Sequence, residues 1–569
     1  MYIREVTSAR KHGPDAVYLQ LVEGYRDGKT GKVKIQILHS FGRKDKLDLG
    51  QIHRLANQLC SYLNPEDQPD LLSEIEITHS WDYGGPYLLD ALWHELKLDR
   101  FFLGGCSKFL SGYYTPRDAL SERVFEQPVE RALFALVAQR ALAPASKLAC
   151  TRWAGSRAWI PGLENGGQGF APQHFYRAMD FLFTAMPELQ QHLYFQVTDL
   201  LNADVSILFY DTTSVSFYLD EEDPAEEGEG GPQGLRLSGL SKKKRPDLPQ
   251  IVVALAVNRD GLPIRHWVFP GNQTDKTTVE RVTTDLRGLR PRRFLFVGDR
   301  GFVSQKNLDY LESRRLPYLL GARLRSDRVV DEAVLSLRGR YRSVNEGLGV
   351  KETTVTEGGR RIRYLLCHNE ARAARDARVR AQIVAELEAE LAGSRIKERH
   401  TRKGYRLLSQ PGYARYLKEL KGGGLRLDRA KIRREARLDG KTVLMTNDLK
   451  LPAADLVRGY HDLWLAERAF RSMKSVLEIE PVYHRTPERI TSHVHLCVLA
   501  YLLTRLVENR TGESWELARE RLNQISLTAI KTERAAVFKT KELNADERSF
   551  LKRCLGGVVS PKCYYTLQG

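Results

Sequence analysis

Cysteine is scarce and unordered in this chain, with seven residues in 569, an odd number and no Cys-x-x-Cys pair. A zinc ribbon needs thiolates at short paired spacing, and a disulfide-stapled fold needs a dense, even set, so neither is indicated. Long apolar runs are also missing. The opening Met1-YIREVTSARKHG contains no leader-like stretch, and the most apolar segment, residues 490–508, is interrupted by His493, His495 and Arg505. That pattern predicts a packed core helix and no membrane span. Gly28, Gly31, Gly42 and Gly50 form no dinucleotide fingerprint, and no Gly-x-x-x-x-Gly-Lys-Ser/Thr string occurs, so no nucleotide cofactor is expected. The absences together point to a reducing, intracellular setting.

Positive charge, by contrast, is plentiful. Lys and Arg number 88 against 71 Asp and Glu, which leaves a formal charge of +17. Such an excess suits a polyanionic partner, nucleic acid above all. The hydrophobic share of 42% is ordinary for a globular protein, and the length allows about three or four units.

Pattern changes divide the chain. Residues 1–47 read as basic strands separated by Gly-containing turns, whose Lys and Arg suit phosphate contact or a solvated rim equally. Residues 48–200 turn helical, with apolar stripes in 88–102 and 129–142; Arg131, Arg140, Lys147, Arg152 and Arg157 make this a candidate DNA-end-binding region. Residues 201–323 carry three strands, a helix and a fourth strand, the start of a mixed α/β core. Residues 324–440 read as an insertion with strand-like and charged helical parts, including the basic stretch 395–406. Residues 441–510 return to the core through a strand and a helix, and 511–569 form a helical or basic tail.

Three acids stand out. Alternation in Ser206-ILFYDTTSVSF puts Leu208, Tyr210, Thr212 and Ser214 on one strand face and Phe209, Asp211 and Thr213 on the other. An acid on such a strand requires a cation, a donor or solvent. The apolar run Phe294 to Val297 stops at Gly298, placing Asp299 at a strand's carboxyl end, where open α/β sheets carry sites. Tyr460, Trp464, Glu467, Phe470 or Arg471, and Lys474 recur at three- and four-residue intervals and predict one helical stripe. Converging, Asp211, Asp299 and Glu467 would hold two hard divalent ions for phosphoryl chemistry. The structural alternative makes the two aspartates strand-end caps and pairs Glu467 with Arg471 at i,i+4.

The strings YDTTSVSF, FPGNQTD, GDRGF and YHDLWLAERAFRSMK resemble those of DDE transposases of the IS4 superfamily, and look closest to the IS1634 family. The resemblance implies an RNase H-like mixed-sheet catalytic core with a mixed insertion before the last acid. It implies that Asp211, Asp299 and Glu467 bind two Mg²⁺, with Mn²⁺ able to substitute. It further implies partners: double-stranded DNA at terminal inverted repeats, target DNA, and a second copy of the chain at the paired end, on the nucleoid in a prokaryotic cytoplasm. Tyr460 and Lys474 fall on the family's Y-R-E-K signature, but Leu463 stands where that signature has arginine. Arg468 and Arg471 are then candidates to replace its phosphate contact. Asn272 and Asp275 are supporting candidates, with turn and helix-cap roles as their plain alternative.

His266 reads either as an approach to the site or as a satisfied strand histidine. His493 and His495, two apart on a helix, point to different faces, which argues against a joint metal site. An RNase H-like nuclease without strand transfer, or an inactive DNA-binding relative, are the other functions compatible with the strings.

Overall fold

The structure, a computed structural model, describes residues 2–8, 16–26, 32–44, 76–102, 129–163, 166–200, 206–218, 221–223, 234–242, 245–289, 294–325, 327–392, 402–421, 424–531, 536–557 and 566–567. The helical expectation for residues 48–75, most of the acidic loop after Asp220 and the start of the basic stretch at 395 lie outside them. The chain divides into two compact units, Met1–Ile77 with Ile530–Ala535, and Thr78–Ala529 with Ala536–Gly569.

In the smaller unit β1 (Tyr2–Ser8), β2 (Ala16–Arg26) and β3 (Val33–Arg43) form an antiparallel sheet in sequence order, the strand-rich start that the pattern predicts.

The larger unit opens within the strand Glu76–Asp82 and continues with helices α1 (Gly84–Glu95), α2 (Val129–Leu142), α3 (Lys147–Trp153) and α4 (Pro172–Phe195). Ser146 caps α3 by accepting from the Ala149 N–H at 3.1 Å, and Pro172 opens α4, where its missing N–H costs nothing. The helical region does not present Arg131, Arg140 and Lys147 as the DNA-facing cations that the sequence suggests. Helix α2 is buried nearly all round, polar residues included. Arg131 pairs with Glu130 and Asp90 at 2.6 Å each, and Arg140 donates to the Leu477, Glu478 and Ala145 carbonyls. Lys147 is buried against His493 at 2.7 Å. These three cations satisfy core acceptors and are not available to DNA, because a buried charge requires its partners. Arg152 and Arg157 remain exposed, with Arg157 paired to Asp82 at 3.2 Å.

The centre is a sheet of nine strands, in chain order β4 (Ile207–Ser216), β5 (Gln250–Val257), β6 (Pro263–Pro270), β7 (Leu295–Gly298), β8 (Tyr318–Gly321), β9 (Arg342–Asn345), β10 (Leu348–Glu357), β11 (Arg360–Asn369) and β12 (Lys441–Thr446). Their spatial order is β9-β10-β11-β12-β8-β7-β4-β5-β6, parallel at β4·β7 and β7·β8 and antiparallel elsewhere. The turn from β5 to β6 is made by Asn258, whose side-chain oxygen accepts from Asp260 and Leu262 N–H, and by Gly261 at φ +73°. Only glycine takes that backbone region without strain.

Part of the insertion extends this sheet. Strand β11 pairs along β12 from Arg363↔Thr446 to His368↔Lys441, so β9 to β11 continue the central sheet outward. The following helix, residues 370–392, keeps a small core of its own from Leu387, Leu407, Tyr416 and Leu417.

Helix α5 (Asp275–Gly288) follows β6, and α6 (Pro487–Thr511) follows two shorter helices described below. Helix α6 is long and apolar enough to span a membrane by composition, yet 89% of its apolar window is buried inside the protein, where it packs on α2, α4 and β6. The mixed nine-stranded sheet with its flanking helices makes the RNase H-like α/β core, preceded in sequence by strand-rich and helical segments.

Candidate active site

Strands β4 and β7 run parallel with Tyr210 opposite Gly298, so Asp211 and Asp299 are the next residues of two neighbouring strands. Strand β7 ends there, while β4 continues to Ser216. The alternation read from sequence is realised in contacts. On one face Tyr210 donates to Thr278 of α5 at 2.8 Å, and Thr212 donates to the Asp275 carboxylate. On the other face Lys474 Nζ donates to Thr213 Oγ1 at 2.7 Å and to the Ser214 carbonyl at 2.9 Å.

The expected single stripe from Tyr460 to Lys474 is broken. A helix at Ala453–His461 stops, and a second begins at Trp464–Ser475. Between them the backbone bonds tighten to i−3, Leu463 N–H to the Tyr460 carbonyl at 3.1 Å and Leu465 N–H to the Asp462 carbonyl at 2.9 Å. Shorter loops of this kind tighten the helix and change its phase. Tyr460 therefore ends the first helix, and Glu467 and Lys474 belong to the second.

Around these elements four carboxylates share one neighbourhood. Asp211 Oδ1 accepts from the Thr212 N–H at 2.7 Å and lies 3.8 Å from Lys242 Nζ. Burial pushes its carboxyl up to about 6; Lys242 and the Thr212 N–H oppose that rise, and the charges of Asp275 and Glu467 add to it. Asp299 is exposed and caps the turn Arg300–Phe302 through the Arg300 N–H at 2.6 Å. Tyr460 has its hydroxyl pushed up by burial and then by the charge of Asp299, with a smaller contribution from Glu467. The Tyr460 hydroxyl thus stands beside Asp299, with the Glu467 charge felt more weakly. Its approach depends on Gly321, where a Cβ would lie 2.4 Å from the Tyr460 oxygen. Asp275 opens α5, lies 3.6 Å from Lys242 Nζ, and has its Oδ2 3.3 Å from where a Gly301 Cβ would stand.

The remaining candidates divide. Asn272 is exposed in the loop before α5. Arg471 is exposed beside Lys474, and among the described residues no ion pair joins it to Glu467. Arg468 is turned to Glu508 at 3.1 Å, under the Trp464 ring. Leu463 is buried at the helix junction. His266 is a satisfied interior histidine, placed between Gln190 and His495. Sequence reasoning passed over Lys242. Its only signal was its place at the head of the basic run Lys242 to Arg245.

Carboxylate and hydroxyl oxygens are hard donors, the chemistry Mg²⁺ and Mn²⁺ prefer. The cation these side chains gather is the Lys242 ammonium, a stand-in of like charge sign. Among the described residues, however, no three His, Cys, Asp or Glu side chains are drawn together closely enough to hold an ion. The donor set fits a hard divalent ion in kind, while its spacing is wider than a closed coordination shell.

Residues 238–503 match the family described as Transposase DDE domain, and residues 3–70 match the family described as IS1634 family transposase, N-terminal domain. No curated protein matches the chain. Among solved structures, similarity extends to the cryo-EM structure of the piggyBac transposase synaptic complex with hairpin DNA, at 12% identity over 83% of this chain and 82% of that one, with a TM-score of 0.34. It also extends to the Mos1 transposase paired-end complex with left transposon end, at 12% identity over 41% and 57% of the two chains, with a TM-score of 0.14.

Proposed function

Since this chain belongs to the IS4/IS1634 family of DDE transposases, we propose that it binds the inverted-repeat ends of a mobile element, cuts their phosphodiesters and joins the freed 3′ hydroxyls to target DNA. In this reading Asp211, Asp299 and Glu467 would hold two Mg²⁺, with Mn²⁺ as a substitute. The ions would activate the attacking oxygen and offset charge on the phosphoryl group and leaving oxygen. The chain's own residues do the positioning. The Thr212 N–H fixes one oxygen of Asp211, the Arg300 N–H fixes one of Asp299, and Lys474 ties the helix of Glu467 to strand β4. Tyr460 and Arg471 are proposed DNA contacts beside the acids, with a formal charge of +17 to gather the duplex. Two copies would act together, one at each end, on the nucleoid of a prokaryotic cell.

The observation that supports the reading most is the pairing of Tyr210 with Gly298, which makes Asp211 and Asp299 neighbours, together with the influence of Glu467 on Asp211. The test incubates the protein with labelled terminal repeats, target DNA and Mg²⁺, and follows both nicked and joined products. Asp211→Ala, Asp299→Ala and Glu467→Ala should each lower both by roughly 10²- to 10³-fold, the scale of removing one preorganised electrostatic group. Full activity in all three variants would overturn the assignment. Cleavage without joined products would return the protein to the nuclease reading, and salt-sensitive binding without cleavage to the inactive one.

A further inference from the structure

Lys242 is a solvent-side lysine turned inward. Its ammonium donates to the Thr212 carbonyl at 2.6 Å and to Thr212 Oγ1 at 2.7 Å, while the same hydroxyl donates onward to Asp275. It stands 3.8 Å from Asp211 Oδ1 and 3.6 Å from Asp275 Oδ2, nearly equidistant between two carboxylates. A lysine serving only solubility would extend into water, where its charge is best hydrated. Here the hydrogen bonds fix the nitrogen and the two longer ion pairs divide its charge. The side chain is still 40% exposed, so it has an open way out.

We propose that Lys242 is a tethered counter-ion of the acid site, holding Asp211 and Asp275 together in the metal-free protein and competing with a divalent cation for the same oxygens. The inference rests on the metal-dependent reading above and adds to it a residue that sets how readily the ion is taken up. The ammonium and an incoming divalent ion repel each other at the Asp211 carboxylate, so the ammonium withdraws as the ion enters. Binding then includes the cost of breaking two partly exposed ion pairs and two hydrogen bonds. It also carries an explanation for the wide spacing of the acids, since a monovalent ammonium draws carboxylates in less strongly than a divalent ion.

The test is Mn²⁺ binding to the full chain without DNA, measured by calorimetry on wild type, Lys242→Gln, Lys242→Arg and Asp211→Ala. Lys242→Gln should bind Mn²⁺ roughly three- to tenfold more tightly, the range expected when a competing partly exposed ion pair is removed. Lys242→Arg should stay within about twofold of wild type because it keeps the charge. Asp211→Ala should lose the site. If wild type binds Mn²⁺ and Lys242→Gln binds it equally or more weakly, the counter-ion inference falls and the metal reading stands. If neither binds Mn²⁺, both fall together.

Discussion

At the acid rim, Asp299 and Glu467 are exposed and Asp211 is half-buried, whereas the polar seam along α6 is closed on every side. In the seam His493 donates from Nε2 to the Ile479 carbonyl at 2.8 Å, which leaves Nδ1 to accept from Lys147 at 2.7 Å. Gln190 donates to the Nδ1 of His266, so His266 donates from Nε2 to His495 Nδ1 at 3.0 Å. The chain of donors ends on His495 Nε2, which is buried without a partner. Burial lowers Lys147 to about 7 and His266 to about 3, and pushes His493 and His495 well below the ordinary histidine range. In this seam burial disfavours the charged forms of the histidines and Lys147, and each ring but His495 has both nitrogens met. At the rim, Asp211 and Asp275 share the one ammonium of Lys242, which leaves negative potential where a second cation can use it.

The loss of cleavage in the three acid variants is the largest effect expected on the rim side of this contrast. On the seam side, Lys147→Ala should cost about 2 to 4 kcal/mol of stability, because it opens a cavity and strands the His493 acceptor. Urea denaturation measures it, and a cost below about 0.5 kcal/mol, that of an ordinary surface change, would mean that the seam is not the closed network described.

The pH dependence separates the two regions further. Lys147 has a folded value of about 7 against 10.5 unfolded, so the unfolded chain binds more protons in that interval and Lys147 makes stability rise with pH across it. His266, at about 3 against 6.5, likewise makes stability rise with pH between those values. Asp211 is opposite in sign. Its folded value of about 6 lies above 3.8, so the folded chain holds the extra proton and stability from this group falls as pH rises from 3.8 to 6. Asp211→Asn in the metal-free protein should therefore add about 1 to 2 kcal/mol at pH 7, discounted for partial exposure. It should also steepen the remaining rise between pH 4 and 6. Thermal denaturation across pH reads both, and an unchanged profile would show that Asp211 is no more desolvated than an ordinary surface acid.

How far the sequence disclosed this contrast depends on the range of the interaction. The placement of Asp211 in a strand and of Asp299 just past a strand's end was legible because two-residue alternation and a glycine-ended apolar run are local signals, as was the succession of three strands, a helix and a fourth strand. The break at Asp462 and Leu463 was not, since neither proline nor glycine marks it and only the backbone bond pattern changes. Arg131 and Arg140 looked like surface charge because their partners, Asp90 and the Leu477 and Glu478 carbonyls, are distant in sequence. The joining of β11 to β12 spans the whole intervening helical insert, so periodicity alone left the insertion's strands without a neighbour. Lys242 was hidden for the same reason, as its partners are set by the fold of the loop and not by spacing.

The smallest expected effect lies where the rim touches the sheet. Gly321 ends β8 with no unusual torsion, and its lack of a side chain matters through contact alone. An added Cβ would meet the Tyr460 oxygen at 2.4 Å and the Arg300 nitrogen at 3.3 Å. The tyrosine tip can yield, but the backbone of the Asp299 cap yields less, so Gly321→Ala should cost about 1 to 2 kcal/mol, typical of mild overpacking. If the hydroxyl contact is the cause, Tyr460→Phe should remove much of that cost, and the double variant should be more stable than the sum of the singles by about 0.5 kcal/mol or more. Strict additivity would place the strain at Arg300 instead, and would detach Tyr460 from the geometry that sets Asp299.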